Sequence, residues 1–424
     1  MPESEIQVEV RDSLRDVACE DWNALCTDGN PFLRYEFLHT LDETDCLRDS
    51  SGWYPRYFLL WQNSGNQKEL VGAVPAYVKT HSYGEFVFDW SWADAYQRHQ
   101  LEYYPKLVSS IPFTPATGAR LLVRSDQPFS DTVKVLALAV RQFTATQDYS
   151  SAHFLFVTEA ESKVLSANAL TEKDRCTDLA GLDTASDHLK RIDCQYHWHN
   201  DAYSSFDDFL ARCSAKRRKT IRRERRHVSD AGLNLSRRTG DSLTEQEWRW
   251  VHQLYESTFD RKWGNPSLTR HFFEQVGKKM GSQVLIILVH DPTDETPEQP
   301  VACSIMFVGE HTLYGRFWGC RRQYHCLHFE ACYYQGIEYC IDHGIDRFEP
   351  GAQGEHKITR GFVPTITYSA HYIRHPGFRD AIADFLNQEI PHVKQRCAGL
   401  SDLLPFRKDS VTLKAPNADT LSSR

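Results

Sequence analysis

Short runs of apolar or alternating residues are interrupted by segments with helical periodicity along most of the chain. Alternation of apolar and polar residues is typical of a half-buried strand, whereas apolar residues three and four positions apart are typical of a helix. In the first half, this pattern predicts strands at 6–10, 56–62, 70–79 and 153–157 and helices at 21–25, 35–41 and 131–143. Pro75 predicts a bulge or a sheet edge, because proline cannot donate to a strand ladder.

The second half repeats this mixture of strands and helices. The pattern predicts helices at 203–228, 245–260, 327–343 and 379–393, and strands at 284–290, 301–308, 312–318, 347–349 and 365–373. A polar stretch at 159–193 separates the halves, and it holds a short helix and, around 176–186, a loop. The pattern predicts an α/β fold with mixed sheets, divided into an N-terminal domain (1–175), a linker (176–195), a C-terminal domain (196–406) and a flexible tail (407–424).

Composition and charge narrow the class of protein. Hydrophobic residues make up 41 % and charged residues 25 % of the chain, as in globular proteins, which argues against general disorder. Lys and Arg total 49 against 57 Asp and Glu, and the net charge of −8 argues against general nucleic-acid binding. No apolar run approaches the roughly 20 residues of a membrane span, and the start does not resemble a secretory signal. We expect a cytoplasmic protein without DNA as a partner, and a peripheral membrane contact stays open.

Twelve cysteines are scattered along the chain without a CxxC pair. The group Cys320, Cys326, Cys332 and Cys340 has spacings that do not match a zinc site. We therefore expect reduced thiols packed as small apolar residues, and no metal site is predicted.

Three stretches of the second half carry a family resemblance. They are the basic segment FLARCSAKRRKTIRRERR (209–226), the stretch 319–344 and the glycine-bearing FEPGAQGEHKITRGFVP (348–364). The first-half stretches that fit the same pattern are 30–33, 72–77, 89–96 and 103–107. The sequence resembles the FemAB-like branch of the GNAT acyltransferase superfamily, and within it the bacterial proteins labelled peptidoglycan biosynthesis or recognition. The resemblance covers about 30–392, and it implies two tandem GNAT-like domains that transfer an acyl or aminoacyl group to an amine.

The resemblance leaves the donor open. Characterised Fem enzymes take aminoacyl-tRNA and ordinary GNAT enzymes take acyl-CoA, so one of these is implied as a co-substrate, with no permanently bound cofactor. Ordinary GNAT enzymes carry a glycine-containing pyrophosphate loop before the helix predicted here at 327–343, yet residues 323–328 contain no glycine. The chain also lacks the long coiled-coil insertion of Fem enzymes. A small-molecule amine is the expected acceptor, and tRNA is one candidate donor. The oligomeric state stays open.

The segment 348–364 holds the candidate catalytic residues. Acyl transfer needs a neutral amine, a donor carbonyl held near it and stabilisation of the oxyanion. Glu349 ends a predicted strand and is suited to accept a proton or to hold an ammonium, and His356 is a candidate base because it titrates near neutrality. Lys357 and Arg360 are suited to bind a phosphate or an oxyanion, as the resemblance implies for a basic residue here. The alternative is a tight connection with solvated charges.

Further substrate-binding candidates lie around the start of the next helix upstream. Arg316 and Trp318 are two apart on a predicted strand and are expected to face one side, either in the cleft or as a packed pair. Tyr324 and His328 flank the helix start. Because His328 and Glu330 cannot share one helical face, at most one of them is expected to point into the site.

Eight positive charges fall within the eleven residues of 216–226. A local basic patch on an acidic chain suits a phosphate-bearing partner: a tRNA acceptor end, a CoA, a nucleotide-linked precursor or an anionic membrane surface. The resemblance favours Arg218 and Arg222 as substrate-binding members. Because the charges occur all round the helix, some of them are expected to be solvated only.

An aromatic and acidic run in the first half is another candidate for substrate contact. It includes Asp89, Trp92, Asp94 and Tyr96, whose side chains can grip an amine or a sugar by hydrogen bonding and stacking. The alternative is a strand edge with buried tryptophan.

These observations favour an N-acyltransferase linked to cell-wall precursors. One alternative is a non-catalytic protein that keeps the GNAT scaffold and binds a cell-wall precursor or another phosphate-bearing ligand. A second is an RNA-binding protein that acts through 216–226, and a metal enzyme is the least favoured.

Overall fold

The strands join in one mixed sheet in the computed structural model, which describes residues 5–64, 67–166, 188–260 and 266–407. They are β1 (Glu5–Arg11), β2 (Trp53–Ser64), β3 (Gln67–Lys79), β4 (Lys106–Ser109), β5 (Leu122–Val123), β6 (Ser151–Val157), β7 (Leu189–His199), β8 (Asn234–Thr239), β9 (Val284–His290), β10 (Ala302–Val308), β11 (Thr312–Cys320), β12 (Arg347–Glu349) and β13 (Val363–Ile373). Their order is β1-β2-β3-β4-β6-β13-β7-β12-β11-β10-β9-β8, and β5 pairs with β3. The pairs β4–β6 and β11–β12 are parallel, so the sheet is mixed.

Helices connect the strands in both halves. They are α1 (Cys19–Asn23), α2 (Tyr35–Glu43), α3 (Trp90–Arg98), α4 (Phe129–Thr146), α5 (Glu159–Leu165), α6 (Phe206–Arg212), α7 (Ala215–Asp230), α8 (Glu245–Asp260), α9 (Arg270–Met280), α10 (Leu327–Phe329), α11 (Gln335–His343) and α12 (Pro376–Ser401). A π-helical turn (Glu330–Tyr334) joins α10 to α11. None of the described helices is both long and apolar enough to cross a membrane.

The predicted helix at 203–228 is in fact two helices, α6 and α7. Cys213 and Ser214 interrupt it with extended backbone, at ψ of 150° and 151°. Cys213 forms an isolated bridge with Phe406. Around this bridge the Ser214 N–H donates to the Pro405 carbonyl and the Arg212 carbonyl accepts from the Arg407 N–H, so these two groups leave the helical hydrogen-bond pattern. The prediction of one helix was wrong because the residues themselves favour helix, and only this distant contact breaks it.

Two further expectations in the first half are corrected. The run 89–96 is not a strand edge but the start of α3, because Trp92 and Tyr96 are four apart and share the helix face that turns to the core. Pro75 lies neither at a bulge nor on an edge strand, since β3 is flanked by β2 on one side and by β5 and β4 on the other. It falls in the gap between the residues that pair with β5 and those that pair with β4, so its missing N–H breaks no ladder.

The two halves share a sheet and a hydrophobic core. β13 lies between β6 of the first half and β7, so the ladder is continuous from one half to the other. The ring centroid of Phe32, in the first half, lies 4.9 Å from that of Phe307 and 5.1 Å from that of Tyr314, both in the second half. β7 begins within the predicted linker, while the loop predicted at 176–186 and all but the first residue of the predicted tail lie outside the described residues. The division into domains stays a prediction.

Candidate active site

The chain after β12 turns at glycines in left-handed conformations. Gly351 and Gly354 have φ of 92° and 112°, which L side chains rarely adopt. A 3-10 helix (Glu355–Arg360) follows and ends at Gly361. A Cβ added at Gly351 would lie 3.7 Å from the Gly315 carbonyl oxygen, an ordinary contact, so the backbone angle rather than crowding requires glycine here. We call residues 350–361 the glycine turn.

Lys357 is the buried cation of the glycine turn. It is 2 % exposed, and its Nζ donates to the Gly351 carbonyl at 2.6 Å. Within the described part of the chain, no carboxylate forms an ion pair with it. Burial lowers the pKa of Lys357 to about 7, and the Cys332 side chain acts in the opposite direction. Near neutral pH, this amine therefore exists in both its charged and its neutral form.

His356 and Arg360 flank Lys357 in different surroundings. His356 is exposed, and its Nε2 lies 2.9 Å from the Tyr333 hydroxyl. Burial and the charges of Arg360 and Lys357 lower the pKa of His356, so its imidazole is neutral at pH 7. Arg360 donates through Nε and Nη2 to the two carboxylate oxygens of Glu224, at 3.2 and 2.7 Å. The positive charge of Arg360 is therefore neutralised by the Glu224 carboxylate.

Glu349 joins the glycine turn to the first half of the chain. It is 3 % exposed, and its carboxylate accepts hydrogen bonds from the Thr117 backbone N–H, at 3.1 Å, and from the Thr117 hydroxyl. Arg347 Nε lies 3.3 Å and His197 Nδ1 lies 4.0 Å from the same carboxylate. These contacts hold Glu349 at the junction of the halves.

His197 is a residue of this site that the sequence analysis missed. It lies buried on β7, and its Nδ1 has no hydrogen-bond partner within the described residues. Burial, followed by the charges of Arg347, His199 and Lys357, holds the pKa of His197 well below its usual value. The available signal was the spacing of two between His197 and His199, which places both rings on one side of a strand.

Arg316 and Trp318 are not brought together. The ladder between β10 and β11 skips Arg316, which is the extra residue of a β-bulge. Its guanidinium donates to the Phe113 carbonyl in the first half, and burial lowers the pKa of Arg316 to about 9. The Trp318 ring instead lies against His328, with ring centroids 5.3 Å apart. Side chains two positions apart on a regular strand point to the same side, and the bulge at Arg316 breaks this alternation before Trp318.

Tyr324 and His328 lie at the start of the α10 helix with different neighbours. The Tyr324 hydroxyl donates to Asp291, and burial together with this carboxylate raises the pKa of Tyr324 to about 12. The His328 ring lies 6.4 Å from the His356 ring and so borders the glycine turn. Of the pair His328 and Glu330, only the histidine lies on this side, because Glu330 is turned toward α7.

Some basic side chains of α7 point toward the protein interior, and others point toward solvent. Arg225 is directed inward and pairs with Glu330 at 2.9 Å and with Glu338 at 2.5 Å. Arg222 is exposed and pairs with Asp207 at 2.9 Å. The other basic residues of the run lie wholly or partly exposed, namely Lys216, Arg217, Arg218, Lys219, Arg223 and Arg226.

The aromatic and acidic run lies far from the glycine turn in sequence and mostly inside the first half. Asp89, Trp92 and Tyr96 are buried, whereas Asp94 is exposed. The Asp89 carboxylate accepts a hydrogen bond from the Lys106 ammonium at 2.5 Å. Burial raises the pKa of Asp89, but the Lys106 charge, the neighbouring His153 and the hydrogen bonds from Lys106 and Tyr103 together lower it to about 2.

A chain of buried polar groups leads from this ion pair across the sheet. The Tyr103 hydroxyl donates to Asp89 at 2.6 Å and lies 3.2 Å from His153 Nε2. The two Nδ1 atoms of His153 and His371 are 2.8 Å apart, and His371 Nε2 lies 2.8 Å from the Ser369 hydroxyl. Burial lowers the pKa of His153 to about 3 and that of His371 well below its usual value, so both rings are neutral. Ser369 lines a cavity of about 170 Å³.

The cysteines of the described residues are free thiols. In the same residues, no group of three His, Cys, Asp or Glu side chains is arranged to hold a metal ion.

One long mixed sheet thus runs through two α/β halves, and the glycine turn follows the end of one of its strands. The chain belongs to the FemAB-like family, whose model is described as peptidoglycan biosynthesis/recognition and matches residues 13–408. The FemAB-like family and the α/β fold with a mixed sheet, both predicted from the sequence, are thus confirmed.

Solved structures resemble the chain over most of its length. FemX has 10 % sequence identity and a TM-score of 0.49, with 88 % of this chain and 100 % of that chain covered. L-PGS from Bacillus licheniformis has 10 % identity and a TM-score of 0.45, with 87 % and 96 % covered. A tandem GNAT protein from the clavulanic acid biosynthesis pathway has 10 % identity and a TM-score of 0.42, with 88 % and 99 % covered. No curated protein matches the sequence.

Proposed function

We propose that the chain is an N-acyltransferase that moves an acyl or aminoacyl group from acyl-CoA or aminoacyl-tRNA to an amine, with a cell-wall precursor as the favoured acceptor. Membership in the FemAB-like family supports the reaction class and the link to peptidoglycan. The observation that carries the proposal is the buried Lys357, which lies in the glycine turn and has no carboxylate partner among the residues that the structure describes. A buried amine in such surroundings is a recurrent feature of functional sites.

The reaction joins the acceptor nitrogen to the donor carbonyl carbon. As the C–N bond forms, the carbonyl π electrons move to oxygen and produce a tetrahedral oxyanion. This intermediate collapses, and the C–S bond of a thioester or the C–O bond of an ester breaks. A base takes the proton from the acceptor nitrogen, and the leaving thiolate or alkoxide takes up a proton.

Three residues of the glycine turn, and Glu349 directly before it, have a proposed part in these steps. Lys357 donates a hydrogen bond to the oxyanion, and the developing negative charge favours its protonated form. His356 is neutral at pH 7 and exposed, and it takes the proton from the amine. Arg360 and Glu349 are positioning residues that fix the two ends of the turn through Glu224 and Thr117.

The exposed basic residues of α7 are the proposed contact for the donor's phosphates. Arg218 is partly exposed and Arg222 is exposed, on a helix whose neighbour in space is the glycine turn. Their charges suit the phosphates of both CoA and tRNA, so this surface is compatible with either donor.

Lys357→Met tests the proposal, and Lys79→Met is its matched control. Lys79 is also buried, its Nζ donates to the Tyr83 carbonyl at 3.2 Å, and burial lowers its pKa to about 7 as well. Both variants therefore remove a buried amine with a carbonyl partner. We expect Lys357→Met to lose roughly 100-fold or more in kcat/KM and Lys79→Met to stay near the unmodified chain.

The assay follows transfer of a labelled group from a panel of acyl-CoA and aminoacyl-tRNA donors to amine acceptors, with the full chain. Equal losses in the two variants would remove Lys357 from the reaction centre. Ligand binding without transfer from any donor in the panel would instead favour the non-catalytic scaffold protein.

A further inference from the structure

The cavity at Ser369 lies on the face of the sheet formed by β7 and β13. Arg191 and Asp193 on β7 line it opposite Ser369 on β13, and α12 closes it with one helix face. Glu389 and Arg396 are seven positions apart on that face. The volume of about 170 Å³ is smaller than a typical drug-sized pocket and suits a small molecule.

The cavity contains charges of both signs. Arg191 and Glu389 form a bidentate pair with contacts of 2.8 and 2.7 Å, and so neutralise each other. Asp193 and Arg396 also line the cavity, but no ion pair joins them within the described part of the chain. Arg396 lies 3.8 Å from Glu355, outside normal hydrogen-bond distance. The Asp193 carboxylate accepts a hydrogen bond from the Cys194 N–H at 2.7 Å, and Arg396 keeps a loose ion pair with Glu355. Both charged side chains are exposed and border the same small space.

The wall between these charges is aromatic and is shaped by a bulge. Phe156 is skipped in the pairing of β6 with β13, and its φ is 59°, a conformation that a bulky residue rarely adopts. The bulge places Phe156 in the cavity wall, where Phe88 and Tyr368 also lie. Bulges commonly redirect a side chain beside a binding site.

Most of the cavity lies away from the glycine turn, and Arg396 at its border pairs loosely with Glu355 of that turn. Asp193 pairs with Thr367 and His197 pairs with Val363, so His197 lies four residue steps along β7 from Asp193 at the cavity. At about 3.3 Å per residue, this spacing is about 13 Å.

We infer that this cavity binds a small zwitterion of the free amino-acid type. Its ammonium pairs with Asp193, its carboxylate pairs with Arg396, and its side chain packs on Phe88 and Phe156. A simple anion would bring no positive charge to Asp193, and a simple cation would bring no negative charge to Arg396. The inference is independent of the proposed acyl transfer, because it concerns binding alone.

Calorimetric titration of the full chain with each free L-amino acid, at up to about 10 mM, tests the inference. The best ligand is compared with its amide, which lacks the carboxylate, and with its deaminated acid, which lacks the ammonium. Asp193→Asn and Arg396→Ala are the site variants. Lys394→Ala removes an exposed charge two positions away on the same helix and serves as the matched control.

We expect at least one amino acid to bind and each analogue with a single charge to bind at least tenfold more weakly. Both site variants should weaken binding at least tenfold while keeping the melting temperature of the unmodified chain, and Lys394→Ala should leave binding unchanged. Absence of binding by the whole panel would overturn the inference. So would equal affinity for the single-charge analogues, or binding of inorganic phosphate alone in an Arg396-dependent way.

Discussion

Buried lysines in this protein differ in charge because their neighbours differ. Burial lowers the pKa of Lys357 and of Lys79 to about 7. Burial acts on Lys106 in the same direction, but the carboxylates of Glu85 and Asp89 outweigh it and raise the pKa of Lys106. The charge of a buried amine is therefore decided by whether a carboxylate is within contact, and not by burial alone.

The depressed pKa of Lys357 predicts a stability that depends on pH. Between about 7 and its usual value of 10.5, the unfolded chain binds a proton that the folded chain does not. The contribution of Lys357 to stability is therefore least favourable below pH 7, and it improves as the pH rises toward 10.5. Lys357→Met should raise the free energy of unfolding by roughly 2–4 kcal/mol at pH 6, with a smaller gain at pH 9.5.

Urea unfolding at the two pH values measures this effect, and Lys394→Met is the control for loss of an exposed lysine. An equal gain in the free energy of unfolding at pH 6 and pH 9.5 would show that the charge on Lys357 does not destabilise the folded chain.

At the scale of elements, α7 is held to the helix formed by α10 and α11 through an ion-pair cluster. Arg225→Ala would leave the carboxylates of Glu330 and Glu338 without this partner in a partly buried position. We expect a loss of about 2–3 kcal/mol in the free energy of unfolding. Arg222→Ala removes an exposed pair from the same helix and should cost less than about 0.5 kcal/mol.

Chemical denaturation of both variants measures the difference. If both variants lost the same small free energy of unfolding, the ion pairs of Arg225 would be screened by water as strongly as the exposed pair of Arg222.

The sequence predicted most elements, because apolar periodicity is a local property. The strand at 284–290 and the helix at 245–260 have the predicted ends. What could not be predicted depends on distant contacts. Phe406 bridges to Cys213 and ends α6, and a bulge against β10 turns Arg316 away from Trp318. Such register changes leave no signal in the spacing of residues along one strand.

The sequence identified the segment that holds the candidate site, but not the contacts that its side chains make with the rest of the protein. The family pattern led to the glycine turn and its titratable side chains. The partners that set their chemistry are remote in sequence: Thr117 bonds Glu349, and His197 lies between β12 and β13 on β7. Only the fold places them there.

At the scale of the whole molecule, one sheet and one shared aromatic cluster predict cooperative unfolding. The β6–β13–β7 ladder and the contacts of Phe32 with Phe307 and Tyr314 cross from one half to the other. Loss of either half would expose this cluster and an open strand edge on the other. We expect a single calorimetric transition, with far-ultraviolet circular dichroism and tryptophan fluorescence changing together.

Two transitions, or midpoints that differ between the two optical probes, would show that the halves unfold independently and that their junction adds little stability.

The position of β13 also bears on how the protein is made. β6 ends at Val157, whereas the strand that covers its open side begins only at Val363. During synthesis, β6 leaves the ribosome long before β13 does. The backbone groups on the open side of β6 stay unpaired in that interval. The nascent chain is therefore exposed to wrong pairing until translation has nearly passed β13, and chaperones that shield strand edges should matter most in that interval.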